Sequence, residues 1–246
     1  MTHLALIELA DDHLILGHRL SEWCGHAPML EEDLALPNMA LDLIGTARTL
    51  YDHAATLEGA GRSEDDLAFL RVEREYRNLL LVERPNGDFA QTMLRQLYFA
   101  AFMAPFWHAA TKSTDDVVRG VAGKASKEMA YHIRHAGEWV IRLGDGTEDS
   151  AVRMADAVDE LHRFTGELFE SSDEARLAEA AGILPERARI RPAWDATLTD
   201  VFGQAALEVP EVYPQTGGRA GLHGECLGHM LAEMQYLQRA YPGATW

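Results

Sequence analysis

Residues 114–143 read TDDVVRGVAGKASKEMAYHIRHAGEWVIRL. Val117, Val121, Ala125, Met129, His132, Ala136, Trp139 and Leu143 recur in this stretch at steps of three and four, which gathers them on one stripe of a helix. Thr114 supplies a cap in front of the stripe, and Gly144-Asp-Gly146 breaks it behind. A helix this long with one apolar side needs other helices to cover it, so the stretch points to a helical bundle.

The neighbouring segments repeat the pattern. Leu6, Leu9, His13, Leu16, Leu20 and Trp23 form the stripe of a first helix that Gly25 and Pro28 end. A second runs from about Leu34 to Leu57 through Leu36, Ala40, Leu43, Ala47, Leu50 and Ala54, with Pro37 confined to its first turn. Ser63 caps a short helix through Arg77, and Arg84-Pro-Asn-Gly87 is a turn. Asp88, with Gln91 three residues on, opens a third long helix that carries Met93, Leu97, Ala100, Ala101 and Ala104 to a late kink at Pro105. Beyond the fourth, a further helix covers about Ser150 to Phe169, another Trp194 to about Leu207, and a last one Gly224 to Ala240 after a Pro- and Gly-rich loop. No strand-length alternation of β-branched residues interrupts them. Four long amphipathic helices with a longer crossover between the second and third describe an all-α, ferritin-like four-helix bundle with additional C-terminal helices. We expect a single domain over residues 1–246, its core bundle at about 3–170 and a helical extension at about 171–246.

Of the 246 residues, 47% are apolar and 25% charged, which is globular rather than disordered. The net charge of −17 argues against nucleic acid or an anionic membrane as partner, because both require basic surface. Glu8, Asp11 and Asp12 interrupt the apolar run a signal peptide would need, and Cys24 and Cys226 are too few for a disulfide framework. A cytoplasmic protein is expected.

Di-iron oxygenases of this architecture hold metal with single acids on some helices and acid-x-x-His pairs on others. Asp159-x-x-His162 has that spacing but falls on the flank of its stripe, where a solvated pair is the expected reading. Glu225 and His229, and Glu128 and His132, are four apart, with Glu128 beside its stripe. His13 and His132 lie inside apolar stripes. Each alone reads as a core histidine satisfied by hydrogen bonds, and together they outline one interior polar site. Arg187, Arg189 and Arg191 suggest a phosphate contact only weakly and read as a solvated loop.

Three stretches carry a resemblance: Glu22-Trp-Cys-Gly-His-Ala-Pro28 with Asp33-Leu-Ala-Leu36, Asn78-Leu-Leu-Leu-Val-Glu83 with Pro85-Asn-Gly87, and Thr216-Gly-Gly218 leading into Leu231-Ala-Glu-Met-Gln-Tyr-Leu-Gln-Arg239. From His3 to Trp246 the chain resembles the C subunits of the bacterial phenylacetyl-CoA epoxygenases, oxygenases of aerobic phenylacetate catabolism. The resemblance implies a subunit related to its catalytic partner, which carries the di-iron ligands. The partner's ligand motifs fall on Asp42-Leu-Ile-Gly-Thr46 and Lys127-Glu-Met-Ala-Tyr-His132. Carried over in this way, the ligand positions become His13, Leu43, Thr46, Ala100, Met129 and His132, with carboxylates replaced by Leu43, Ala100 and Met129. A shift of one residue would bring Asp12 and Asp42 into line but would put Gly45 where a histidine belongs.

The resemblance thus implies a structural subunit with no catalytic, cofactor-binding or metal residues of its own. Di-iron would lie in the catalytic partner, and FAD and iron–sulfur in a separate NADPH-fed reductase. The implied partners are the catalytic subunit and the other subunits of the complex, with a homo-oligomer possible when the chain is alone. The rival is an autonomous di-iron carboxylate oxygenase with other ligands. Tyr213, Tyr236, Tyr241 and Trp246 mark the C-terminal segment as the first candidate for a partner surface, the alternative being that these rings cap the bundle.

Overall fold

The computed structural model describes residues 2–244, and among them there is no strand. The helices are α1 (Thr2–Ser21), α2 (Leu30–Glu58), α3 (Glu64–Phe69), α4 (Leu80–Glu83), α5 (Phe89–Ala110), α6 (Asp116–Gly144), α7 (Glu148–Leu161), α8 (Asp173–Ala180), α9 (Arg191–Gln204), α10 (Glu225–Met234) and α11 (Tyr236–Ala240). The four long ones, α1, α2, α5 and α6, form the bundle and the others wrap it, which is the ferritin-like, all-α architecture read from the stripes.

α1 lies antiparallel to α2, with Asp11 beside Tyr51 and Gly17 beside Ala40. Gly17 permits that approach, because a Cβ there would come within 2.8 Å of Ile44 Cγ1 and 3.3 Å of the Ala40 carbonyl. α2 is in turn antiparallel to α6, His135 lying 2.8 Å from Glu32 and His53 2.8 Å from Asp115 at opposite ends. α5 closes the core from the other side with Met93, Leu97, Ala100 and Phe102, all buried.

In α6 the buried residues are Val118, Ala122, Ala125, Met129, His132, Ala136, Gly137 and Val140. The stripe read from sequence coincides with them from Ala125 to Ala136 and slips by one residue at each end. Val117 is exposed, and Val121, Trp139 and Leu143 are half-buried. At the N-terminal end three successive steps of four overshoot a turn of about 3.6 residues and rotate the line off the buried face. Asp115, not Thr114, caps α6, accepting from the Val117 and Val118 amides at 3.0 and 2.9 Å, while the Thr114 hydroxyl donates to the Ala181 carbonyl. α2 begins at Leu30, so Pro37 lies inside it rather than in its first turn. Glu31, Glu32 and Asp33 make that earlier start favourable by opposing the helix dipole.

The segment between α2 and α5 departs most from the sequence reading. α3 stops at Phe69 instead of Arg77, and the chain to Leu79 is extended apart from one 3₁₀ turn at Glu73–Glu75. Its amides are bound by side chains instead of by a helix. Asp11 accepts from Arg77 N, Asp12 from Leu79 N and Glu167 from Leu80 N, each at 2.8 Å. α7 likewise ends at Leu161 and passes into 3₁₀ turns to Phe169, which bring Glu167 to the crossover. Gln235 interrupts the last helix where its amide turns to the Arg71 carbonyl, 3.0 Å away.

Asp11 and Asp12 are both fully buried on α1. Asp11 pairs with Arg71 and accepts from the Tyr51 hydroxyl. Asp12 takes both terminal nitrogens of Arg219, at 3.0 and 2.7 Å, and Arg219 also donates to the Arg77 carbonyl. Beside them Glu83 accepts from Asn78, His223 and the Gly224 amide. Burial raises the Asp12 carboxyl while Arg219 pulls it back down. These pairs lock α1, the crossover and the loop at 217–224 into one interior network. Gly218 sits tightly within it, since a Cβ there would fall 2.1 Å from the Asn78 carbonyl oxygen.

Gly218→Ala should therefore cost about 2 kcal/mol through backbone displacement. Gly203→Ala, in α9 with open space around it, should be neutral or stabilise by up to about 1 kcal/mol. Urea unfolding of both variants checks the contrast, and equal midpoints would refute it.

Candidate functional site

The six positions singled out by the resemblance are all buried on the bundle helices: His13 on α1, Leu43 and Thr46 on α2, Ala100 on α5, Met129 and His132 on α6. His13 is fully buried, with its ring 5.3 Å from that of Phe99 and 5.7 Å from that of Trp107. Its Nδ1 donates to the Leu9 carbonyl at 2.7 Å, and its Nε2 accepts from the Trp107 indole N–H at 3.4 Å. Burial holds it neutral, with its pKa pushed down to about 4.

His132 is equally buried and equally engaged. The Gln96 amide donates to its Nδ1 at 3.0 Å, and its Nε2 faces Asp42 at 3.3 Å. That bond holds the Asp42 carboxyl below its usual range. Glu128, next along α6, is pushed up by burial and is paired with Lys124 at 2.9 Å. Asp42, Glu128 and Lys124 thus lie on the outer seam between α2 and α6, with His132 behind them in the interior.

A di-iron centre needs carboxylates on the inward faces and imidazole nitrogens with free lone pairs. Here the inward faces carry Leu43, Ala100 and Met129, and the ring nitrogens of both histidines already have protein partners. Asp12, the acid that a shift of one residue would recruit, is committed to Arg219 and Leu79 N. The residues present do not fit a pair of iron ions. Among the described residues no group of three or more His, Cys, Asp or Glu is placed to hold a metal ion.

The remaining candidates separate cleanly. Asp159 is exposed, but His162 is not a solvated flank residue. It packs against Tyr98 and Trp194 and bonds the Tyr98 hydroxyl at 3.1 Å. Glu225 and His229 form an exposed pair at 3.4 Å. Arg189 and Arg191 are exposed as expected, whereas Arg187 is fully buried over the rings of Phe102 and Phe106. Sequence reasoning missed Gln96 and Trp107, the partners of the two core histidines. Their signal is a polar or indole group on the α5 stripe level with a buried imidazole.

The Tyr213, Tyr236 and Tyr241 side chains are exposed, by 90%, 63% and 56%, so they do not cap the bundle. Trp246 lies outside the described residues. No described helix is long and apolar enough to cross a membrane.

Fold and interior together define a ferritin-like bundle whose two central histidines have all their ring nitrogens partnered within the chain. The family model described as phenylacetic acid catabolic protein matches residues 2–246, and the chain belongs to that family. It is 46% identical over 241 residues, 98% of this chain and 97% of the relative, to the C subunit of the 1,2-phenylacetyl-CoA epoxidase of Escherichia coli (strain K12).

His13 makes stability depend on pH with a definite sign. Its folded pKa lies below the unfolded value of 6.5, so its contribution is complete above pH 6.5 and is lost as pH falls towards about 4. The full shift corresponds to about 3 kcal/mol. Urea unfolding at pH 4, 5, 6 and 7 should show a stability loss on acidification that His13→Leu reduces by that order. Parallel curves for the two proteins would contradict the assignment.

Proposed function

We propose that this chain is a non-catalytic structural subunit of a 1,2-phenylacetyl-CoA epoxidase, paired with the di-iron catalytic subunit in the cytoplasm. The observation that carries the reading is the internal closure of the bundle. His13 and His132 spend their ring nitrogens on Leu9, Trp107, Gln96 and Asp42, and aliphatic side chains occupy the positions where carboxylates would balance metal charge. The likeness to an epoxidase subunit over nearly the whole chain supplies the context. On this reading the chain holds no cofactor. Iron resides in the catalytic partner, flavin and iron–sulfur centres in the reductase, and this chain acts by contact, as scaffold for its relative.

Two measurements test the proposal. Protein made alone in iron-rich medium should contain far less than one iron per chain and show no oxygen consumption with phenylacetyl-CoA and a reductant. Co-expressed with a tagged catalytic subunit, it should co-purify in fixed stoichiometry and raise the turnover of that subunit. Stoichiometric iron in the isolated chain would replace this reading with that of an autonomous di-iron oxygenase.

A further inference from the structure

The end of the molecule formed by α3, the crossover and α10–α11 presents apolar side chains that the bundle leaves uncovered. Leu70 and Val72 are each about half exposed, as are Tyr236 and Tyr241 from the other side. The two sets share one surface. Arg239 donates to the carbonyls of Leu70 and Arg71 at 3.2 and 3.0 Å, and the Gln235 amide reaches the Arg71 carbonyl. Between them lies a shallow hollow of about 540 Å³ lined by Phe69, Leu70, Arg239 and Pro242. Aromatic and aliphatic groups around a concavity are the composition of an interface centre rather than of ordinary surface.

The rim decides what fits there. Asp65 and Asp66 line the hollow, with Glu73 and Glu233 on the flanking segments. Arg239, the cation at its centre, is already spent on two backbone carbonyls and Gln235. A second copy of this chain would bring the same acidic rim and another net charge of −17, so like charges would face one another. We propose that this face docks a different protein chain, one presenting an apolar centre within a lysine- and arginine-bearing rim. Given the reading of the chain as an epoxidase subunit, on which this rests, that chain is another subunit of the complex.

A second exposed apolar feature, the outer side of α2 with Leu30, Leu34 and Leu41, competes for the role. It is a single row of leucines on one helix.

The test measures binding of the full chain to each separately purified epoxidase subunit by interferometry at 50 and 300 mM salt, alongside sedimentation of the chain alone. The wild type should bind one subunit, several-fold more weakly at the higher salt. Leu70→Asp and the pair Tyr236→Ser with Tyr241→Ser should weaken that binding at least tenfold. Asp65→Asn with Glu233→Gln should weaken it severalfold, and Leu41→Asp should leave it within twofold. Circular dichroism and thermal midpoints of all variants should match the wild type, because every substituted side chain is wholly or partly exposed. Unchanged binding by Leu70→Asp, loss of binding by Leu41→Asp instead, or self-association abolished by Leu70→Asp would each overturn the assignment of this face while leaving the subunit reading standing. Binding to none of the subunits would overturn both.

Discussion

Asp11 and Asp12 are neighbours on α1, and both are fully buried. Adjacent residues on a helix point about 100° apart, so the two carboxylates cannot share one counter-charge. Asp11 takes Arg71, from just beyond α3, and Asp12 takes Arg219, from a loop late in the chain. Removing either arginine would strand a buried charge, at a cost of about 3–5 kcal/mol. The extended course of the crossover follows from this. Residues 77, 79 and 80 give their amides to Asp11, Asp12 and Glu167, and an amide bound that way is unavailable to a helix. The same network fixes where the C-terminal helices begin, through His223 and Gly224 on Glu83.

The bundle interior obeys a related rule with a different outcome. A polar group enclosed by apolar helices must find a partner, from the protein or from a ligand, because leaving it bare costs about 1–3 kcal/mol. His13 and His132 find theirs within the chain, so their lone pairs and protons serve packing. With Leu43, Ala100 and Met129 beside them, the core is held by dispersion and burial.

Much of the bundle was legible because periodicity survives translation into structure. The α6 stripe from Ala125 to Ala136 was read correctly, His132 included, because steps of three and four alternate there and hold one face. Its N-terminal end slipped where the chosen residues repeated at four, and its C-terminal end where the buried face passes through Gly137 and Val140 instead of Trp139. Five of the six interior positions already lay on inward stripes by periodicity, the family likeness adding Thr46, and their burial is plain in the fold, but Gln96 and Trp107 as partners of the two histidines were not legible. Gln96 and Trp107 reach His132 and His13 from α5, and no local pattern encodes a contact between residues 36 or 94 apart. The crossover was misread for the same reason. Residues 70–77 have helical composition, and what straightens them is a pair of aspartates some 60 positions earlier. Arg187 reads as one surface arginine among several, and only the fold brings the aromatic rings of α5 beneath it.

The pairing of Asp12 with Arg219 also says something about how the chain is made. On the ribosome α1 emerges early, bearing a carboxylate whose buried place exists only once residue 219 has left the exit tunnel. Until then α1 can settle against the crossover only with Asp12 bound to the Leu79 amide and lacking its counter-charge, which weakens that packing. Closure of the network therefore waits for the loop at 217–224. A nascent chain stalled short of Arg219 would be a client for holding chaperones rather than a folded fragment.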